Sequence, residues 1–151
     1  MEFATRIGVW LPALLATSVL LTHCDPAALG AGVQDVEQSL QGTWLREYRA
    51  DGVEARRVLV LQPGHVFRER LRTVDAQGRT TEQVHEGTWF YDGTNLKRKY
   101  TSMNGEPPSR LRVPFATFQI AFDSPDEFHG IDHIHGRQVR YRRIADAAPG
   151  L

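Results

Sequence analysis

The sequence predicts an all-β domain, an eight-stranded antiparallel meander closed into a small up-and-down barrel behind a leader helix and a short helical turn. Three observations carry that expectation. Turn-forming clusters recur about every dozen residues from Gln41 onward, at Asp51-Gly52, Pro63-Gly64, Asp75 to Gly78, Asp92-Gly93, Asn104 to Pro108, Asp123 to Asp126 and His135-Gly136. Glycine there supplies positive φ and proline fixes the turn, so the seven corners divide eight strands. Several of the intervening segments alternate in polarity with a period of two, as a strand with one wet face must. The spacing leaves no room for crossover helices, and so many short strands expose their edges unless the sheet closes on itself.

The elements follow in order. Met1 to Arg6 is a short polar start carrying Arg6, and Ile7 to Leu21 is almost wholly apolar. That is the layout of a secretory leader, expected over residues 1–23. The run is shorter than the roughly 20 residues that span a bilayer, and Pro12 interrupts it, so retention as a membrane helix is the lesser alternative. Residues 24–40 read as a flexible tether, rich in alanine, glycine and proline, with one helical turn at Asp35 to Leu40 that sets Val36 and Leu40 on one side. The barrel is expected over residues 41–145 and a disordered tail over 146–151.

Alternation assigns the barrel's faces. Phe67, Glu69 and Leu71 oppose a basic row of Arg68, Arg70 and Arg72; Phe118, Ile120 and Phe122 oppose Thr117, Gln119 and Ala121; Val139 and Tyr141 oppose Gln138, Arg140 and Arg142. With Phe67, Trp89, Phe118 and Val139 inward, Glu69, Gln83, His85, Arg98 and Arg143 share the inner faces. Buried charges must be paired or hydrated. Two readings stay open: a polar pocket recognising an amphipathic or anionic molecule through Arg98 and Arg143, or groups that pair with each other or lie near the barrel ends.

Composition excludes several function classes. Eighteen basic and eighteen acidic side chains cancel to a formal net charge of zero, so no field for holding nucleic acid is expected. No Gly-x-Ser-x-Gly elbow or phosphate-cradling glycine loop occurs, and no enzyme is expected. Glu82 and Glu86 share a strand face that reads as solvated. His129, His133 and His135 form an H-x3-H-x-H pattern in which the last two stand about 7 Å apart on an extended strand, yet His135-Gly136 also reads as an exposed hairpin tip, and no metal or cofactor is expected.

Two resemblances add to this reading. Leu21-Thr22-His23-Cys24 resembles the lipobox of bacterial lipoproteins, departing from it at His23, where that family carries glycine, alanine or serine. The resemblance implies lipidation of Cys24, the chain's only cysteine, and anchoring on the periplasmic face of a bacterial membrane; Asp25 resembles an inner-membrane retention signal. The alternative is an ordinary leader cut after Ala28 or Gly30 and a soluble periplasmic or secreted domain. Gly42-Thr43-Trp44, behind a short helical turn and far ahead of an arginine-bearing last strand, is similar to the lipocalin and calycin pattern, and Gly87-Thr88-Trp89 repeats it in the fourth strand. That resemblance implies a lipocalin-like barrel in which Trp44 closes the floor beneath Arg140, Arg142 or Arg143. It implies a small apolar or amphipathic ligand lined by Trp44, Phe67, Trp89, Arg98, Phe118 and Arg143. The competing expectation is a non-enzymatic envelope protein with a solid barrel, for which a lysozyme-inhibitor-like domain is one model, whose outer face with Arg68, Arg70 and Arg72 meets another protein or an anionic head group.

Overall fold

The computed structural model describes residues 26–109, 114–133 and 135–145. The leader, Cys24 with its expected lipidation, and the tail over 146–151 lie outside the described residues. A helix, α1 (Pro26–Leu40), precedes eight strands: β1 (Gly42–Ala50), β2 (Val53–Gln62), β3 (Val66–Val74), β4 (Thr80–Tyr91), β5 (Asn95–Met103), β6 (Phe115–Ser124), β7 (Glu127–Asp132) and β8 (Arg137–Ile144). Each strand pairs antiparallel with the next, and β1 pairs with β8 through Thr43↔Ile144, Trp44↔Arg143 and Leu45↔Arg142. The sheet is the closed eight-stranded barrel that the turn spacing predicts.

The corners fall where the turn residues stand. Ala50 pairs with Val53 across Asp51-Gly52, a two-residue hairpin for which Asp-Gly is a favoured sequence. Asp75 accepts backbone hydrogen bonds from Gln77 and Arg79 and so organises the next turn but one, and Asp92 does the same for Thr94 and Asn95.

The helix departs from the expectation of a tether with one helical turn. It starts at Pro26, where proline's fixed φ and missing N–H suit a first helical position, and alanines and leucine follow that favour helix. It closes one end of the barrel. Leu40 is fully buried and Val36 packs on the core, Val33 reaches Gly93 in the β4–β5 turn, and the Glu37 carboxylate accepts from the Tyr91 backbone N–H at 3.2 Å. A run that is small and unpatterned in sequence thus becomes a plug.

The interior is filled by side chains from every strand. Trp44, Leu59, Leu61, Phe67, Trp89, Leu96, Phe118, Ile120, Phe128, Val139 and Tyr141 form one cluster with Leu40. Rings meet edge to face at Trp44 and Phe128, 4.7 Å between centroids, while Phe128 and Tyr141 stack at 5.1 Å, arrangements that add to plain area burial. Gly87 sits at a β-bulge in the β4–β5 pairing, where a Cβ would collide with the Lys99 carbonyl and the Phe67 ring. The second Gly-Thr-Trp therefore needs its glycine for close approach of backbone and ring.

Candidate functional site: a charged layer inside the barrel

Two polar constructions sit on the inner wall, one at the closed end and one in the middle. At the closed end the Trp44 indole N–H donates to the Leu40 carbonyl at 2.7 Å. The Arg143 guanidinium lies 4.3 Å over the Trp44 ring and donates to the carbonyls of Gln41 at 2.7 Å and Ser39 at 2.5 Å. The Ser39 carbonyl belongs to the last turn of α1, where carbonyls lack an intrahelical partner and sit at the negative end of the helix dipole, and Gln41 is the first residue after the helix. Of the three arginines open in the sequence, Arg143 is the one that stacks on Trp44. Gly42 makes room for it: its φ is 131°, and Arg143 occupies the space that a Cβ would take, so the first Gly-Thr-Trp also has a reason for its glycine.

The middle layer is different in kind. Arg57 on β2, Glu69 on β3, His85 on β4 and Arg98 on β5 all point inward, since Glu69 stands in register with Leu59 and His85, Arg57 with Leu71 and Arg98 with Trp89. Glu69 is fully buried and Arg98 is 1% exposed. The Glu69 carboxylate accepts from Arg57 Nη1 at 2.9 Å, from His85 Nδ1 at 3.2 Å and from Arg98 Nη1. Burial alone would push the Glu69 carboxyl up, but the guanidiniums of Arg98 and Arg57 hold it well below the usual carboxylate range. Burial likewise works against the charge of both arginines, and the carboxylate between them outweighs it, so both stay charged. The Tyr100 hydroxyl beside them is pushed up, chiefly by burial.

This layer is incompletely satisfied. Among the described residues Arg57 Nε, Arg98 Nε, Arg98 Nη2 and the Tyr141 hydroxyl are buried without a hydrogen-bond partner. Most buried polar groups in folded proteins have one, and leaving a donor bare costs about 1–3 kcal/mol. The Arg98 guanidinium has rings around it, with centroids of Phe67, Phe118 and Tyr100 at 5.4, 5.3 and 5.6 Å, within the range of cation–π attraction. Those contacts favour its charge and leave its N–H edge unused. At the barrel end opposite α1 an open cleft of about 630 Å3 is lined mostly by outward-facing side chains, among them Glu47, Glu54, Arg56 and Arg72, together with the inward-facing Tyr48 and Ala55, and no residue of the middle layer borders it.

The six residues expected to line a ligand thus divide between two places. Trp44 and Arg143 belong to the closed end. Trp89 is buried nearby, its indole N–H donating to the Gln62 carbonyl at 3.2 Å. Phe67, Arg98 and Phe118 meet in the middle layer. Sequence reasoning missed Arg57, because Val53 to Gln62 shows no alternation of polarity, and it gave the inward Tyr141 no role in a site.

The remaining candidates lie outside the barrel. His129 faces Asp123 at 2.9 Å, His133 faces Gln119 at 3.1 Å and His135 faces Asp132 at 2.7 Å, three separate partners and no shared centre. Among the described residues no group of three or more His, Cys, Asp or Glu is placed to hold a metal ion. The basic row on β3 is matched by β4: Arg68 stands opposite Glu86, 3.5 Å away, and Arg72 opposite Glu82, so cross-strand carboxylates neutralise much of it.

No family model and no curated protein matches the chain. Among solved structures, a designed protein described as "De novo design of a fluorescence-activating beta barrel" is similar, with a TM-score of 0.42 at 20% identity over 73% of this chain and 98% of that one.

Proposed function

We propose that this chain is a lipocalin-like carrier, tethered through a lipidated Cys24 to the periplasmic face of a bacterial membrane, that holds a small amphipathic molecule against the charged middle layer of its barrel. The observation that carries the reading is the set of four buried polar atoms without partners in the middle layer. A domain selected for stability alone would pair these groups or replace them with apolar ones, since an incompletely satisfied polar layer costs more than an apolar core. Supporting the lipocalin-like part is the floor, where a tryptophan in Gly-Thr-Trp lies under an arginine of the last strand and above a helix end. The competing reading as a solid interaction module is weakened by Glu86 and Glu82, which stand opposite Arg68 and Arg72 and offset part of the basic row on β3.

The test is native mass spectrometry of the full-length chain purified in mild detergent from a bacterial envelope. A small molecule retained by the wild type and lost in Arg98→Met is the expected result. A barrel that is always empty and unmoved by added amphiphiles argues for the interaction module instead. Palmitate labelling that is absent in Cys24→Ser tests the anchor separately; equal labelling of both would remove the tether.

A further inference from the structure

We infer that the outer wall of β4, β5 and β6, which carries Phe90, Phe115, Lys97 and Lys99, lies on the bilayer to which the chain is tethered, against anionic phospholipid head groups. The inference rests on the tether in the proposed function and asks nothing of a ligand inside the barrel.

Composition sets this wall apart. Phe90 stands opposite Lys97 and Lys97 opposite Thr117, while Thr88 stands opposite Lys99 and Lys99 opposite Phe115. These outward positions hold aromatic rings, lysines and threonines, and no carboxylate. Elsewhere the outer wall sets arginines against carboxylates on neighbouring strands, as in Arg56 with Glu47, Arg68 with Glu86 and Arg140 with Glu127. Phe90 and Phe115 are 49% and 53% exposed, and Val66, opposite Thr88, is 46% exposed. Large apolar side chains gathered on one wall mark an interaction surface.

Charge selects the occupant. Lys97 Nζ lies 5.4 Å from the centre of the Phe90 ring and pairs with Asp92 at the strand end, 2.7 Å away. Lys99 has no carboxylate opposite it on either neighbouring strand. Rings that enter the interface between flexible ammonium groups suit an acidic lipid surface, because lysine lays its stem along apolar surface while its charge reaches a phosphate.

The helix puts the tether on the same side. In a closed barrel of eight strands β1 and β5 stand across from each other, and α1 crosses the closed end between them. Leu40 meets Trp44 of β1, Glu37 meets Tyr91 at the end of β4, and Val33 reaches Gly93 in the β4–β5 turn. Pro26 begins the helix seven residues before Val33, so α1 runs about 10 Å past that turn. Cys24 precedes Pro26 by two residues, a reach of at most about 7 Å. The sequence from Pro26 to Val33 carries no charge, and its overhang is close to the depth of a polar head-group layer, roughly 5–8 Å on each side of a bilayer. A lipid on Cys24 therefore enters the membrane beyond the β4–β5 edge, and so short a connection turns the β4–β6 wall, not β8 or β1, toward the head groups.

The test uses the full-length lipidated protein in vesicles of phosphatidylcholine, with and without phosphatidylglycerol. Lipidation blocks Cys24, so a nitroxide spin label goes to a single new cysteine, at Thr88→Cys on this wall or at Gln138→Cys on β8 across the barrel, both exposed positions. Collision with a water-soluble nickel chelate and with oxygen reads whether each label meets water or lipid. With phosphatidylglycerol present, nickel access at position 88 is expected to be about threefold or more below that at position 138. Lys99→Glu, or Phe90→Ser together with Phe115→Ser, is expected to return the label at position 88 to water while the protein stays on the vesicles. If those variants do not fold, the two labels in the otherwise unchanged chain decide alone. Equal nickel access at both positions overturns the docked wall and leaves the tether standing. Protection that is the same without phosphatidylglycerol overturns the anionic head group. Spin–spin broadening at position 88 without lipid contact identifies a second copy of the chain as the cover and overturns the bilayer. Wild-type protein that washes off the vesicles overturns the tether and this inference with it.

Discussion

The closed end and the middle of this barrel are built from the same residue types, an aromatic ring beside an arginine, and they differ in how completely the polar atoms are used. At the floor, Arg143 covers Trp44 and spends N–H groups on the carbonyls of Ser39 and Gln41 where α1 ends, while the indole takes that of Leu40. In the middle, Arg98 is buried among three rings with only one nitrogen hydrogen-bonded. A finished joint adds stability and has nothing left to bind with. An unfinished one gives up some stability and keeps donors in reserve, the trade-off expected where binding is selected.

The largest way to break the floor is Trp44→Ala. The ring is fully buried, and its loss removes packing, the indole hydrogen bond and the support of Arg143, for an expected cost toward the upper end of about 3–5 kcal/mol in urea unfolding. A loss below about 1 kcal/mol would mean the floor holds little together.

Glu69→Gln comes next. It leaves two buried guanidiniums without their counter-charge, at an expected cost of about 3 kcal/mol at neutral pH. Its pH dependence sharpens the point. Because Arg98 and Arg57 depress the Glu69 pKa below its ordinary value of 4.5, the stabilisation is present above that value and is lost as pH falls through the folded-state pKa. The gap between wild type and Glu69→Gln is therefore expected to be constant above about pH 5.5 and to narrow below about pH 4.5. A gap independent of pH would show that the charge of Glu69 contributes nothing. Gly42→Ala has the smallest expected effect, about 1–3 kcal/mol, from a side chain placed at positive φ and against the Arg143 guanidinium; differential scanning calorimetry showing an unchanged Tm would put Arg143 elsewhere.

Much of the frame is legible in the sequence because turns are chemically specific. Asp51-Gly52, Pro63-Gly64 and Asp92-Gly93 each stand between consecutive strands, and the parity of Phe67, Trp89, Phe118 and Val139 places Glu69, His85 and Arg98 inside. Parity also selects Arg143 over Arg140 and Arg142, since it shares the face of Val139 and Tyr141. The rest is illegible for physical reasons. Val53 to Gln62 mixes Arg57 into a run whose two faces are both largely shielded from water, so no alternation marks it. The helix hides in Pro26 to Gln34 because alanine and glycine there carry no periodic apolar pattern and read as a linker. No sequence pattern announces that Arg98 keeps an unused edge, because that depends on which of its neighbours across the barrel come within reach.

The most direct measurement of the central claim is the stability of Arg57→Met. If the middle layer carries surplus positive charge kept for a ligand, replacing Arg57 with an apolar chain of similar length leaves Glu69 paired with Arg98 and His85 and neutralises the layer. Urea unfolding at pH 7 is then expected to give a stability equal to wild type or up to about 1–2 kcal/mol higher, with the small molecule retained by the wild type in native mass spectrometry lost. A loss of about 3 kcal/mol or more with binding intact would show that Arg57 is a structural partner of Glu69, and that the layer is as finished as the floor.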